Sequence, residues 1–316
     1  MIDHAPSLTA AAILGIARRW DAAATGVWPL RSGDASTWRV RSGGTGYVLR
    51  LTREAHRTSS QIRGELAFID HLAAGGLRVA RGFSTPDGEQ VVGVAPPRGG
   101  SMLATLFERL PGRHFEYHSF DIGPPLFRLW GDTMARIHRL SNRFVPPPGA
   151  ARPDWLDDAV AACSTTGVAV SPQVIAERDD LIAWLNTTAI EPSHYGTVHG
   201  DLERTNFVLD GDRIGVFDFA DCCRHWFSWD IACALWAFRN APAGDRARFL
   251  GWFMDGYGAV REPDAERMRR FSDLVRLRTI ALLLHRLRDP ARIAQATDRD
   301  WVARTEQWLL SDWRWA

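Results

Sequence analysis

The sequence predicts an α+β fold of two lobes, a small β-rich N-terminal one and a larger helical C-terminal one. Three observations carry this. The first third alternates apolar and polar residues with the period of strands. Most of the remainder repeats apolar residues every three or four positions. One β-rich island, residues 195–219, interrupts the helical part. The break at Leu110-Pro111-Gly112 sets the division: an N-terminal lobe over residues 1–106, a hinge over 107–111 and a C-terminal lobe over 112–316.

The apolar stretch 8–17 follows Asp3 and precedes Arg18-Arg19, the reverse of the charge order of a signal peptide. It is expected to be a helix capped near Ser7. Strands are expected over 28–31, 37–41 and 47–52, separated by Ser32-Gly33-Asp34 and Ser42-Gly43-Gly44. In the third strand Tyr47, Leu49 and Leu51 face one way and Val48, Arg50 and Thr52 the other. Ile62, Leu66, Ile69 and Leu72 mark a helix over 59–74 that Gly75-Gly76 stops. Two more strands are expected near 90–95 and 101–107. Helical periodicity then recurs over 127–140, 172–185, 229–239, 247–256, 271–288 and 300–310, with a proline-rich loop at 145–153 inside the second lobe.

With 316 residues, 46% hydrophobic and 24% charged, the chain has the composition of a globular protein, not a disordered or fibrous one. The 38 basic residues nearly cancel the 37 acidic ones, which argues against a nucleic-acid or anionic-membrane binder. All 38 are arginine, so whatever a lysine ammonium does elsewhere must be done differently here. The four cysteines lack the paired spacing of a zinc site, and a reduced, cytoplasmic protein is expected. No apolar run approaches the roughly 18 residues of a membrane span.

The chemistry concentrates in the island. It reads His199-Gly200-Asp201-Leu202-Glu203-Arg204-Thr205-Asn206, then a hairpin turning at Asp210-Gly211-Asp212, then Phe217-Asp218-Phe219-Ala220-Asp221. An Asp–Asn pair thus stands at the hairpin's entrance and Asp218 at its exit. Carboxylates and an amide oxygen are the hard ligands that magnesium takes, usually shared with substrate phosphates. Asp, four residues, Asn and a later Asp-Phe is the order of parts in a phosphoryl-transfer site.

This segment resembles the aminoglycoside phosphotransferase and choline kinase superfamily, small-molecule relatives of the protein kinases. The run from Asp218 to Ala232, through His225-Trp226 and Trp229-Asp230, is similar to its homoserine-kinase-like and stress-response-kinase-like branches. The resemblance implies a protein-kinase-like two-lobed fold, with Asp201 as catalytic base and Asn206 and Asp218 as magnesium ligands. It implies that Glu65 is an ion-pair glutamate and that Gly33, Ser36 and Thr37 lie in the loop over the nucleotide phosphates. Phe107, Glu108 and Leu110 would form the hinge that meets the adenine. Arg50 falls where the family most often has a phosphate-contacting lysine; it keeps the charge but not the point-like head. Glu203 stands where many relatives carry histidine, and Ala220 where Asp or Gly is common.

Other residues have plainer expectations. His199 braces its loop through backbone hydrogen bonds, Cys222 and Cys223 are small buried residues, and Asp230 is structural. The tryptophans 226, 229, 236, 252, 308, 313 and 315 pack helices, and the arginines 267–278 form a solvated face. Asp154, Asp157, Asp158 and Asp255 are candidate acids of an acceptor pocket that the sequence does not place. The expected activity is transfer of the γ-phosphoryl group of ATP, or of another nucleotide such as GTP, to a hydroxyl of a small polar molecule. An aminoglycoside-like antibiotic, an amino alcohol or a sugar would serve. A bacterial stress-response-type Ser/Thr protein kinase is the alternative, and a nucleotide-binding pseudokinase a third. The oligomeric state is left open.

Overall fold

The structure is a computed structural model that describes residues 8–31, 35–96, 100–116, 122–150, 152–157, 170–289 and 293–315. In chain order the elements begin with α1 (Ala10–Ala17), β1 (Ala24–Arg31), β2 (Ala35–Ser42), β3 (Thr45–Arg53) and α2 (Ser59–Ala74). Next come β4 (Gly82–Phe83), β5 (Val92–Val94), β6 (Met102–Glu108), β7 (Arg113–His114), α3 (Pro124–Ser141) and α4 (Pro172–Thr187). Then follow β8 (Tyr195–Val198), β9 (Phe207–Asp210), β10 (Arg213–Val216), β11 (Cys223–Trp226) and α5 (Phe227–Leu235). The last are α6 (Ala243–Gly258), α7 (Ala265–Met268), α8 (Phe271–Leu287) and α9 (Ala296–Leu309).

The chain forms two compact units. Unit 1 comprises Met1–Arg113, Phe144–Arg152 and Val208–Ala220; unit 2 comprises His114–Arg143, Pro153–Phe207 and Asp221–Ala316. The expected division placed 144–152 and 208–220 in the second lobe, and the contacts explain the difference. Val79 bridges Val216, Ala80 donates to the Val216 carbonyl at 2.9 Å, and Arg78 pairs with Asp210 at 2.7 Å. Phe144 packs on Phe68 and His71, while Arg152 bonds the carbonyls of Gln61 and Ala220.

In unit 1 an antiparallel sheet has the order β1-β2-β3-β6-β4, with β5 also on β6. The alternation of β3 decides its two faces. Leu49 and Leu51 enter a core with Ile13, Ala17, Ala104 and Leu106, so α1 packs on that face. Arg50 lies on the other, where α2 meets it. A capping box of Thr58 and Gln61 starts α2, and its buried face carries Ile62, Glu65, Leu66, Ile69 and Leu72. Helix α1 is capped by Thr9, whose hydroxyl accepts from Ala12; Ser7 lies outside the described residues.

Unit 2 is helical around the antiparallel pair β8–β11, in which Val198 is paired with Cys223 and Tyr195 with Trp226. Helices α3 and α6 touch backbone to backbone. A Cβ on Gly131 would collide with the carbonyl of Phe253, and one on Gly256 with that of Arg128. That approach brings Tyr257 of α6 within reach of His138 on α3. The whole of α5 is buried, Asp230 included. Most expected helices recur with ends moved by a few residues, as helix ends commonly do. Strand β11 lies in the motif's tail, where no strand was expected, and pairs with β8. Among the described residues no helix is long and apolar enough to cross a membrane.

Candidate active site

Unit 1 gathers one group of the expected site residues. Arg50 donates from Nη1 to Glu65 Oε1 at 2.8 Å and from Nη2 to Glu65 Oε2 at 2.6 Å, a bidentate pair with both side chains buried. The guanidinium also lies over the Phe107 ring, 4.7 Å from its centroid. Asp218, just past β10, faces the same arginine: Oδ1 is 3.9 Å from Arg50 Nη1 and Oδ2 is 3.7 Å from Arg31 Nη1. Its backbone is left-handed, φ 62°, the only such non-glycine among the described residues. Asp tolerates that conformation better than most residues, and a held left-handed residue is often found at functional sites. Phe219 beside it is buried on Phe68 of α2.

The rest of the expected nucleotide group is placed differently from the expectation. Ser36 and Thr37 are not in a loop; they begin β2, paired with Leu51 and Arg50 respectively. Only 32–34 connect β1 and β2, so Gly33 lies outside the described residues. Phe107 and Glu108 belong to β6, not to a hinge, because the ladder with β3 continues to Tyr47–Glu108. Leu110 lies beyond the strand, buried with Ala80, Val208 and Phe217.

Unit 2 holds the His-Gly-Asp loop. Asp230 accepts from the backbone N–H groups of His199 at 3.0 Å and Gly200 at 2.8 Å, and its Oδ2 is 3.0 Å from His138 Nε2. His138 in turn reaches the Tyr257 hydroxyl through Nδ1 at 2.9 Å and stacks on Phe227. Burial pushes the His138 pKa below its ordinary value despite the carboxylate beside it. Burial acts to raise Asp230, but His138 and the His199 N–H outweigh it and hold that carboxyl below the usual range. Asp230 is therefore the brace of this loop. His199, fully buried, accepts from the Asp201 N–H at 3.2 Å, as expected of a bracing imidazole. Gly200 has φ 81°, and a Cβ there would strike the carbonyl of Asp221, so only glycine fits before Asp201.

Asp201 is half-buried, with each carboxylate oxygen engaged. Asn206 Nδ2 donates to Asp201 Oδ2 at 2.9 Å and to its carbonyl at 2.7 Å. Two acceptors on Nδ2 fix the amide's orientation. Arg278 of α8 donates from Nη2 to Asp201 Oδ1 at 2.5 Å. Burial disfavours charge on Arg278, yet Cys233, Asp201, Asp221 and Glu203 outweigh it and push its pKa above the arginine norm.

Arg278 and Arg31 were not singled out from the sequence. Arg278 was assigned with its neighbours to a solvated face, and the structure corrects this. Arg267 and Arg276 are buried, bonded to Asp264 and the Ala189 carbonyl, and to Glu177 and the carbonyls of Leu309 and Ser311. The candidate pocket acids are spent elsewhere: Asp154 accepts from the Tyr195 hydroxyl at 2.6 Å and Asp255 pairs with Arg128 at 3.3 Å. Asp158 lies outside the described residues. Cys222 and Cys223 are buried.

A profile of the family described as "APH: Phosphotransferase enzyme family" matches residues 28–271. Amicoumacin kinase of Bacillus subtilis (strain 168) is 29% identical over 253 residues, 77% of this chain and 75% of that protein. Homoserine kinase of Methylobacillus flagellatus is 33% identical over 247 residues, 77% of this chain and 73% of that protein. Among solved structures, amicoumacin kinase hAmiN in complex with AMP-PNP, Ca2+ and Ami matches with a TM-score of 0.81 at 24% identity, covering 94% of this chain and 92% of that one. The microcompartment-associated aminopropanol kinase matches with a TM-score of 0.76 at 22% identity, covering 95% and 94%. The chain belongs to the APH phosphotransferase family and has its protein-kinase-like α+β fold.

Proposed function

We propose that this phosphotransferase moves the γ-phosphoryl group of ATP to a hydroxyl of a small polar acceptor, with Asp201 as the base that orients and deprotonates it. The observation that carries the reading is Asp201 itself. It is a half-buried carboxylate in a braced loop, held on Oδ2 by the asparagine that follows it by five positions. Catalysis of this kind is mostly placement and charge stabilisation.

A divalent ion, magnesium by its chemistry, would take hard oxygens of the kind that Asn206 and Asp218 each carry. Asn206 offers an amide oxygen whose orientation its own hydrogen bonds fix, and Asp218 a carboxylate held in a left-handed backbone. When bound, the ion would neutralise phosphate charge. Arg50, kept in place by Glu65, would supply the cation that a lysine gives elsewhere.

For the acceptor, we favour an amino alcohol over a sugar or an aminoglycoside-like antibiotic. Three carboxylates, Asp201, Glu203 and Asp221, act on the one guanidinium of Arg278. Carboxylates beside the reacting hydroxyl suit an ammonium group on the acceptor. Aminopropanol and homoserine, named in two relatives, both carry such a pair.

The test is ADP release with ATP and magnesium over a panel of homoserine, 1-amino-2-propanol, an aminoglycoside and glucose. An amine-bearing alcohol should stimulate release, and Asp201→Ala should lower that turnover about 10²–10⁴-fold with nucleotide binding retained. Stimulation by glucose alone overturns the acceptor class. Undiminished turnover in Asp201→Ala overturns the assignment of the base.

A further inference from the structure

The arginines of helix α8 and the segment before it are used in two ways. Arg267 and Arg276 each bond a carboxylate and one or more backbone carbonyls, so each ties chain segments together. Arg278 ties none. Among the described residues its only hydrogen-bond acceptor is Asp201 Oδ1, and its Nε is buried without an acceptor.

We infer that Arg278 is a positioning residue for Asp201, the second half of a clamp whose first half is Asn206. This rests on the proposed reading of Asp201 as base and deepens it. The χ2 torsion of an aspartate is broad, so its carboxylate plane is not fixed by the side chain's own rotamers. A donor on each oxygen fixes it: Asn206 Nδ2 on Oδ2 at 2.9 Å, Arg278 Nη2 on Oδ1 at 2.5 Å. The arginine also weakens the carboxylate as a base. A loose, largely dissociative transition state makes that tolerable, because catalysis then rests on placement and charge stabilisation. The Asp201 and Arg278 side chains remain 24% and 12% exposed, so an acceptor can reach the pair from solvent.

The test uses the full chain and two readouts: the acceptor-stimulated rate, and hydrolysis of ATP by water, which needs no identified acceptor. Arg278→Ala should lower kcat about 10–10²-fold while KM for ATP changes by less than about threefold, since a misplaced reacting group costs turnover, not nucleotide binding. Added guanidinium ion should restore part of the rate to Arg278→Ala, and Arg278→Lys should keep part of it. Arg278→Met, which fills the same space without charge, should behave as Arg278→Ala and guards against a loss that is only unfolding. The decisive comparison is additivity. In an Asp201→Ala background, Arg278→Ala should cost less than about a further twofold, because the two residues act as one unit. Equal losses in both backgrounds, or an unchanged kcat in Arg278→Ala, overturn the inference while leaving the kinase reading intact. Full turnover in Asp201→Ala alone would instead overturn the base assignment, and the clamp with it.

Discussion

Both terminal nitrogens of Arg50 are spent on the two carboxylate oxygens of Glu65, at 2.8 and 2.6 Å, inside unit 1. A lysine ammonium could meet such a carboxylate only as a point charge. The planar fork meets it in parallel and still lies flat on Phe107. In a chain without lysine, the arginine is thus held as rigidly as its task requires, and Nη1 stays 3.9 Å from Asp218.

Arg50→Ala is expected to act on both stability and activity. It leaves Glu65 buried without its partner, and breaking a buried pair from one side costs about 3–5 kcal/mol. That exceeds the roughly 0–1 kcal/mol of a surface pair. Denaturant unfolding and kcat/KM should both fall, and Arg50→Lys should recover part of each, since charge returns but the fork does not. Equal kcat/KM in the wild type and both variants would make Arg50 a bystander in the reaction.

Asp218→Asn should keep the left-handed backbone, which asparagine also tolerates, and lose the hard anionic oxygen. Nucleotide affinity should then lose most of its dependence on magnesium with little change in melting temperature. A titration of magnesium against nucleotide affinity reads this directly. Identical metal dependence in the two proteins removes Asp218 from the ligand set.

How much of this was legible depends on the range of the signal. Arg50 and Glu65 were legible because both lie on regular elements: alternation gave the face of Arg50, and helical spacing gave the helix that carries Glu65. The hairpin after Asn206 was legible from its turn residues. Arg278 was not, because an arginine among acids on an amphipathic helix reads as solvated. Only the tertiary fold brings it to a partner 77 positions away. Ser36 and Thr37 were placed in a loop by the family resemblance, whereas the residue pattern started a strand at Thr37; pairing with β3 extends β2 back through Ser36 to Ala35. The expected strand 101–107 recurs, and pairing with β3 extends it by one residue, to Glu108, into the expected hinge.

Acid should weaken the fold through buried imidazoles. Burial holds His225 well below its ordinary pKa of 6.5, against a smaller opposing pull from Asp230, and lowers His138 as well. As pH falls through 6.5 the unfolded chain takes up protons that the folded chain refuses, so stability declines toward acid; well above 6.5 neither state is charged and the loss is absent. His225→Phe keeps a ring on Trp229, where the two now stack at 4.6 Å, and removes the titration. It gives up the bond from the Trp226 N–H, worth about 0.5–1.5 kcal/mol. Unfolding curves at pH 7.5 and 5.5 should therefore differ less in the variant than in the wild type. An unchanged difference would place the acid sensitivity elsewhere.

Asp230 braces the His199–Asp201 loop without being part of it. Its two oxygens take the N–H groups of His199 and Gly200 and meet His138, all in a fully buried setting. Asp230→Asn keeps the shape but puts an NH2 where a carboxylate oxygen accepted, so one donor of the loop or His138 faces another donor. An unmet buried group costs about 1–3 kcal/mol, and more where charge was involved. The variant should unfold at lower denaturant concentration, and kcat should fall as the His199–Gly200 turn relaxes and Asp201 loses its placement. His138→Gln, which can still donate to Asp230, should cost less on both counts. Because the fold holds the Asp230 carboxyl below its ordinary range, the contribution persists through mildly acidic pH and is lost only as pH falls through that lowered value. Equal stability and kcat in Asp230→Asn would show that the loop is held by other contacts, with Gly200 against Asp221 the first to examine.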